Sequence, residues 1–330
     1  MNTSPNLTPD DWLTLYTTMC RMRAIEDRAT ELYHEKRTVG RIYTGRGQEA
    51  ISVGATYALG PDDAVAPIYR DMGAHLVRGV TAREIFCQYM GRANSSNQGK
   101  DSGLHIQAPR RGITVSMISN LTPSIPVAVG IALTFKIRHE ARVAMTFFGD
   151  GSTSTGSFHE GVNFAAARQL PIVLICENNQ WALSTPNSKQ FALETLADRA
   201  LGYGIPGIQV DGNDVGAMYE AVHEAVSRAR AGEGPSFIEA VTMRMRGHSV
   251  TDPAQYIPET MLEEWAEKDP IARCAAHLQA IDILTDSLEQ KIKTDINAEI
   301  NEAVTFAASS PLLPAEDALN NVYAEEVAHA

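Results

Sequence analysis

Apolar residues near the start of the chain recur at helical spacing. Thr8 stands where a helix N-cap belongs, Pro9 suits a first turn, and Trp12, Tyr16, Met19, Met22, Ile25, Ala29 and Leu32 then fall along one face. This predicts an amphipathic helix running to about residue 36. Farther on, short apolar runs alternate with longer amphipathic ones. Segments 64–69, 143–148, 172–176, 208–210 and 237–243 are predicted strands, and 48–59, 82–90, 125–138, 157–168 and 215–231 predicted helices. Several of the strand segments are almost continuously apolar, as expected of a parallel sheet covered on both faces. The predicted fold is α/β: a doubly wound, mostly parallel sheet with helices on both faces. An N-terminal helical segment (1–40) precedes it, and a charged helical stretch (258–330), read as a C-terminal arm, follows.

Composition narrows the classes. At 330 residues the chain is at the upper end of what one core fills. Hydrophobic residues make up 44% and charged ones 21%, enough for an ordinary core, and no apolar run nears the roughly 18 residues that span a bilayer. No membrane partner is expected. The 28 basic and 40 acidic residues leave a net charge of −12, which repels phosphate backbones, so nucleic acid is not an expected partner either. Cys20, Cys87, Cys176 and Cys274 lie far apart, as buried thiols of a reducing compartment do, and the first ten residues carry no secretion signal. The expected location is the cytoplasm.

The chemistry concentrates between residues 143 and 184. This stretch reads as a strand, the turn Gly149-Asp150-Gly151, a helix, a second strand and the turn Asn178-Asn179. A crossover between adjacent parallel strands puts both turns at the carboxyl edge of one sheet, where open α/β sheets bind ligands. Asp150 and Asn179 then offer a carboxylate and an amide oxygen, a hard-oxygen set suited to Mg²⁺. The plainer alternative is that both are turn dipeptides at strand ends. Gly149-Asp150-Gly151 with the next glycine at Gly156 matches neither a dinucleotide fingerprint nor a Walker loop. Tyr69-Arg70 suits an anion, or an ion pair of Arg70 with Asp71. Arg244, Arg246 and His248 follow at period two and suit either one side of an extended site segment or a solvated strand end.

Taken together, Gly-Asp-Gly and Asn-Asn with residues 152–177 between them resemble the thiamine diphosphate motif. Within that superfamily the chain is similar to the alpha subunit of the 2-oxo acid dehydrogenases, the first component of the pyruvate and branched-chain complexes. The resemblance extends from about Trp12 to Tyr323 and includes Gly47-Gln48-Glu49-Ala50, Tyr69-Arg70, Phe158-His159-Glu160, Glu177-Asn178-Asn179, Val210-Asp211-Gly212-Asn213-Asp214, Arg246-Gly247-His248-Ser249 and Asp252-Pro253. It implies a thiamine diphosphate-binding domain at 41–257. It also implies thiamine diphosphate and Mg²⁺ as cofactors, with Asp150, Asn179 and the backbone carbonyl of Trp181 on the metal; many relatives have Tyr at that last position. Tyr69 and Arg70 would hold the diphosphate. Ser119, Leu121, Gly149, Gly151 and Ser152 would line the cofactor site, and His248 beside them would orient or protonate the reacting species because imidazole titrates near working pH.

The activity implied is oxidative decarboxylation of a 2-oxo acid with acyl transfer to a lipoyl group. A chain this short resembles half of the active site, the other half belonging to a separate beta subunit. Two alpha and two beta chains, docked on a lipoyl acyltransferase core, are the implied assembly. Pyruvate-type relatives commonly carry His at the positions of Tyr43 and Met72, and Arg at Ile257. Segments 116–130 and 178–184 look more like branched-chain members, whereas Arg246-Gly247-His248-Ser249 looks more like pyruvate members, so the substrate leans to branched-chain 2-oxo acids. The alternatives are an acetoin dehydrogenase-type subunit, half of a split transketolase-like enzyme, and a catalytically silent scaffold subunit.

Overall fold

The protein is seen in a computed structural model that describes residues 6–114 and 122–320. Helix α1 (Pro9–His34) begins as its sequence directs: Thr8 accepts from the Asp11 backbone N–H while Asp11 accepts from that of Thr8, which satisfies two orphan donors of the first turn. The chain leaves the helix two residues early, with Lys36 in the left-handed region at φ 59°. Helices α2 (Glu49–Tyr57), α3 (Met72–Val77), α4 (Ala82–Tyr89), α5 (Ser124–Ile137), α6 (Gly156–Ala167) and α7 (Val215–Arg230) follow, and then α8 (Glu259–Ala266), α9 (Pro270–Ala280) and α10 (Asp286–Ser309).

Five strands form one fully parallel sheet. They are β1 (Ala64–Ala66), β2 (Ala144–Gly149), β3 (Ile172–Asn178), β6 (Gly207–Asp211) and β7 (Ser236–Val241), in the order β1-β2-β3-β7-β6. A separate small hairpin pairs β4 (Trp181–Ala182) with β5 (Thr185–Pro186). Side chains alternate across the sheet as a pleat requires. Met145, Phe147, Val173 and Ile175 pack toward α1, α4 and α7, while Ala144, Phe148, Ile172 and Leu174 pack toward α5 and α6. This is the doubly wound layering expected.

Three differences from the pattern-based expectation have physical causes. The first strand stops at Ala66 because Pro67 brings no N–H to the ladder, so Tyr69 and Arg70 lie in a turn. Helix α3 was not anticipated, since six residues carry too little periodicity to announce a helix. The C-terminal stretch, read as an arm, is fastened to the domain: Ile296, Ile300, Ala303, Val304 and Ala307 on α10 bury themselves in the same core as α1 and α4. Among the described residues no helix is long and apolar enough to cross a membrane.

Candidate active site

The carboxyl ends of β1, β2, β3 and β7 converge on one cleft of about 540 Å³. After β1 the chain turns sharply, with the Ile68 N–H donating to Asp71 Oδ2 at 2.7 Å and the Asp71 N–H to the Ile68 carbonyl at 3.1 Å. The turn presents Tyr69 and Arg70. Arg70 Nη1 donates to the Thr44 carbonyl at 2.8 Å, and Nη2 to the His248 carbonyl at 2.8 Å and to His248 Nδ1 at 3.2 Å. The Arg70–Asp71 ion pair does not form: Asp71 Oδ2 takes the Ile68 N–H, and burial, with Glu177 beside it, pushes the Asp71 carboxyl well up. Among the described residues the buried guanidinium meets no carboxylate at ion-pair distance, which leaves its charge for an anion entering the cleft.

At the end of β2, Asp150 is 1% exposed and its Oδ2 accepts from Gln190 Nε2 at 2.7 Å. Burial pushes its carboxyl up to about 6. At the end of β3, Asn179 Nδ2 donates to Gln48 Oε1 at 3.0 Å, which leaves Asn179 Oδ1 buried without a partner among the described residues. An unsatisfied buried amide oxygen costs free energy unless something occupies it. The Trp181 carbonyl accepts from Arg244 Nη1 at 3.2 Å and keeps a second lone pair. One carboxylate with amide and carbonyl oxygens suits a hard divalent cation carried in with an anion. Among the described residues no cluster of three or more His, Cys, Asp or Glu side chains offers a rival metal site.

The two glycines of the Gly-Asp-Gly turn differ. A Cβ on Gly151 would lie 2.5 Å from Ala182 Cβ, so this glycine lets the β4–β5 hairpin close over the turn. Among the described residues a Cβ on Gly149 would meet nothing within 4 Å, so it is this position that opens onto the cleft. Ser152, 5% exposed, completes that wall.

His248 closes the opposite wall. The ring sits edge-on to Tyr43 and Tyr69, with centroids 5.5 and 6.1 Å away, and its backbone N–H donates to Asp252 Oδ2 at 2.7 Å. Burial, and after it the charges of Arg70 and Arg244, push the imidazole down to about 4. The expectation that it titrates near working pH is thus corrected: in this state the ring is neutral. Its Nδ1 faces Arg70 Nη2 as an acceptor, so the hydrogen-bond network assigns the proton to Nε2. Of the arginines at period two, Arg244 shares the cleft with His248, whereas Arg246 turns out to Asp27 at 2.6 Å.

Tyr69, Arg70, Gly149, Asp150, Gly151, Ser152, Asn179, Trp181 and His248, from four separate segments, all line this one cleft. Ser119 and Leu121 lie outside the described residues. The residues at which the chain departs from pyruvate-type relatives divide: Tyr43 lines the cleft, Met72 is buried in the main core, and Ile257 packs with Trp181 and Met243. Sequence reasoning quoted Glu177 in the Glu-Asn-Asn motif but gave no role to it, although it lines the cleft, nor to Gln48 and Gln190. Gln48 stood in the Gly-Gln-Glu-Ala motif, but nothing in the sequence marked Gln190.

Comparison with known proteins agrees with this geometry. The profile of the family described as Dehydrogenase E1 component matches residues 17–316. The chain is 40% identical to the 2-oxoisovalerate dehydrogenase subunit alpha of Bacillus subtilis (strain 168), covering 97% of each chain. It is 36% identical to the 3-methyl-2-oxobutanoate dehydrogenase subunit alpha of Mycobacterium tuberculosis, over 94% of this chain and 82% of that one. To the pyruvate dehydrogenase E1 component subunit alpha of Porphyra purpurea it is 34% identical, over 93% of this chain and 91% of the other. A parallel sheet with the candidate side chains at its carboxyl edge, matched from end to end by such relatives, places this chain in the dehydrogenase E1 component family as an alpha-type member.

Proposed function

We propose that this chain holds the metal-and-diphosphate half of the active site of a branched-chain 2-oxo acid dehydrogenase. Members of the family use thiamine diphosphate with a divalent metal ion such as Mg²⁺. The observation that carries the assignment is the buried, unpartnered Asn179 Oδ1 in the same cleft as Asp150. Asp150, Asn179 Oδ1 and the Trp181 carbonyl would hold the metal, and Tyr69 and Arg70 the diphosphate. Once bound, thiamine diphosphate supplies the electron sink for decarboxylation.

The chain's own residues do the rest. Arg70 and Arg244 supply fixed positive charge in the cleft, already placed where an anion would sit. Neutral His248, held by Arg70 and Asp252, offers its Nε2–H as a positioned donor. Ile68, Phe148 and Leu183 give the cleft an apolar side suited to an aliphatic acyl chain, and the identity to the Bacillus relative supports the same choice. A beta subunit would complete the site, in an assembly of two alpha and two beta chains on a lipoyl acyltransferase core, in the cytoplasm.

The test is to co-express the chain with its beta subunit and measure lipoyl-dependent turnover. Higher kcat/KM for 2-oxoisovalerate than for pyruvate is expected, with no turnover by the lone chain. A preference for pyruvate would overturn the substrate assignment, and turnover by the lone chain would overturn the shared site.

A further inference from the structure

Two glutamines outside the ligand set touch the two side chains proposed to hold the metal, one glutamine each. Gln190 Nε2 donates to Asp150 Oδ2 at 2.7 Å, and also to the Thr185 carbonyl at 2.9 Å and Asn187 Oδ1 at 3.3 Å. It thereby ties the rotation of the Asp150 carboxylate to the β4–β5 hairpin. Gln48 Oε1 accepts from Asn179 Nδ2 at 3.0 Å, while Gln48 Nε2 is buried with no partner. Gln48 itself is held from both sides. Its N–H donates to the Gly45 carbonyl at 2.8 Å, and the preceding Gly47 carbonyl accepts from Thr242 Oγ1 at 2.9 Å, just past the end of β7.

Gly47 sits at φ 89°, and a Cβ there would come within 2.6 Å of Met245 Cγ. The loop that delivers Gln48 is therefore confined. An asparagine amide fits almost equally well in either of two rotations, and only one of them offers oxygen to a cation. An acceptor placed against Nδ2 selects that rotation.

Building on the metal assignment made above, we propose that Gln48 and Gln190 are positioning residues of the metal site: Gln48 sets which atom of Asn179 faces the cleft, and Gln190 sets the rotation of the Asp150 carboxylate. The two amides work with opposite atoms. Gln48 acts through its oxygen and its nitrogen bonds nothing, so Gln48→Glu loses no hydrogen bond. Gln190 acts through its nitrogen, so Gln190→Glu turns a carboxylate onto three acceptors, one of them the Asp150 carboxylate. The same substitution is expected to be tolerated at one position and harmful at the other.

The experiment titrates Mn²⁺ by electron paramagnetic resonance, with thiamine diphosphate present, into the assembled alpha–beta enzyme. Gln48→Met and Gln190→Met are expected to weaken Mn²⁺ binding by about tenfold or more, the usual cost of losing a group that orients a metal ligand. Gln48→Glu should stay within about threefold of the wild type, and Gln190→Glu should bind more weakly than Gln190→Met. Saturating metal should restore most of kcat in the methionine variants, because what they lose is affinity.

Wild-type affinity in both methionine variants, or equal losses in Gln48→Glu and Gln48→Met, would overturn the proposal. If Gln190→Glu does not assemble, Gln190→Met carries the same test without a buried charge. Asp150→Ala in the same titration separates the two levels of the argument. Loss of binding there, beside glutamine variants that bind normally, overturns only the positioning role; normal binding by Asp150→Ala overturns the metal assignment itself.

Discussion

Replacing Asp150 with alanine is expected to abolish Mg²⁺-dependent binding of thiamine diphosphate to the assembled enzyme, a loss of at least about 10²-fold in affinity. Asp150 is the one charged group among the proposed ligands. Without it the proposed ligands are only amide and carbonyl oxygens, with Glu177 and the guanidinium groups of Arg70 and Arg244 elsewhere in the cleft. The fold should survive. Burial pushes the Asp150 carboxyl up to about 6, so its ionised form opposes folding in the metal-free chain, and alanine removes that opposition. Gln190 keeps the Thr185 carbonyl and Asn187 Oδ1 as acceptors. Calorimetry with thiamine diphosphate and Mg²⁺ reads the affinity, and thermal melting of the metal-free protein reads the fold. Unchanged affinity would remove Asp150 from the metal site.

His248 and Arg70 touch one another, yet their loss should read out differently. His248→Ala in the assembled enzyme is expected to lower kcat by about 10²-fold, the range for removing one fixed hydrogen-bond donor aimed at developing charge, with little change in KM. Burial and the charges of Arg70 and Arg244 push the imidazole down to about 4 in the cofactor-free chain, so before the diphosphate binds the ring is neutral across the neutral range. Arg70→Ala instead removes a buried charge that makes no direct ion pair among the described residues, so cofactor affinity should fall and excess thiamine diphosphate should restore part of the rate. Full recovery of His248→Ala on adding cofactor would reduce His248 to an anchor.

Much of this was written in local sequence. The Thr8–Asp11 capping pair, the apolar runs that became β2, β3 and β7, and the crossover joining Gly149-Asp150 to Asn178-Asn179 follow from spacing alone, because each depends on neighbours in the chain. What spacing does not reveal depends on contacts between distant segments. Gln48 reaches Asn179 across 131 positions, and Gln190 reaches Asp150 across 40. The protonation state of His248 is set by Arg70, 178 positions away, and by burial that no window of sequence reports. The alternation of Arg244, Arg246 and His248 misled for a related reason. It predicts one shared side, but Asp27 on α1 draws Arg246 out of the cleft.

Asp71 shows the same limit at short range. As a neighbour of Arg70 it invited an ion pair, and the turn after Pro67 claimed its carboxylate first.

The most direct test of the site is the position of the metal itself. The assembled enzyme, crystallised with thiamine diphosphate and Mn²⁺ in place of Mg²⁺, locates the ion by its anomalous scattering. The account predicts one peak about 2.1 Å from an Asp150 carboxylate oxygen, Asn179 Oδ1 and the Trp181 carbonyl, with the diphosphate between the ion and Arg70. An ion bound elsewhere, or a diphosphate that does not contact Arg70, would contradict it.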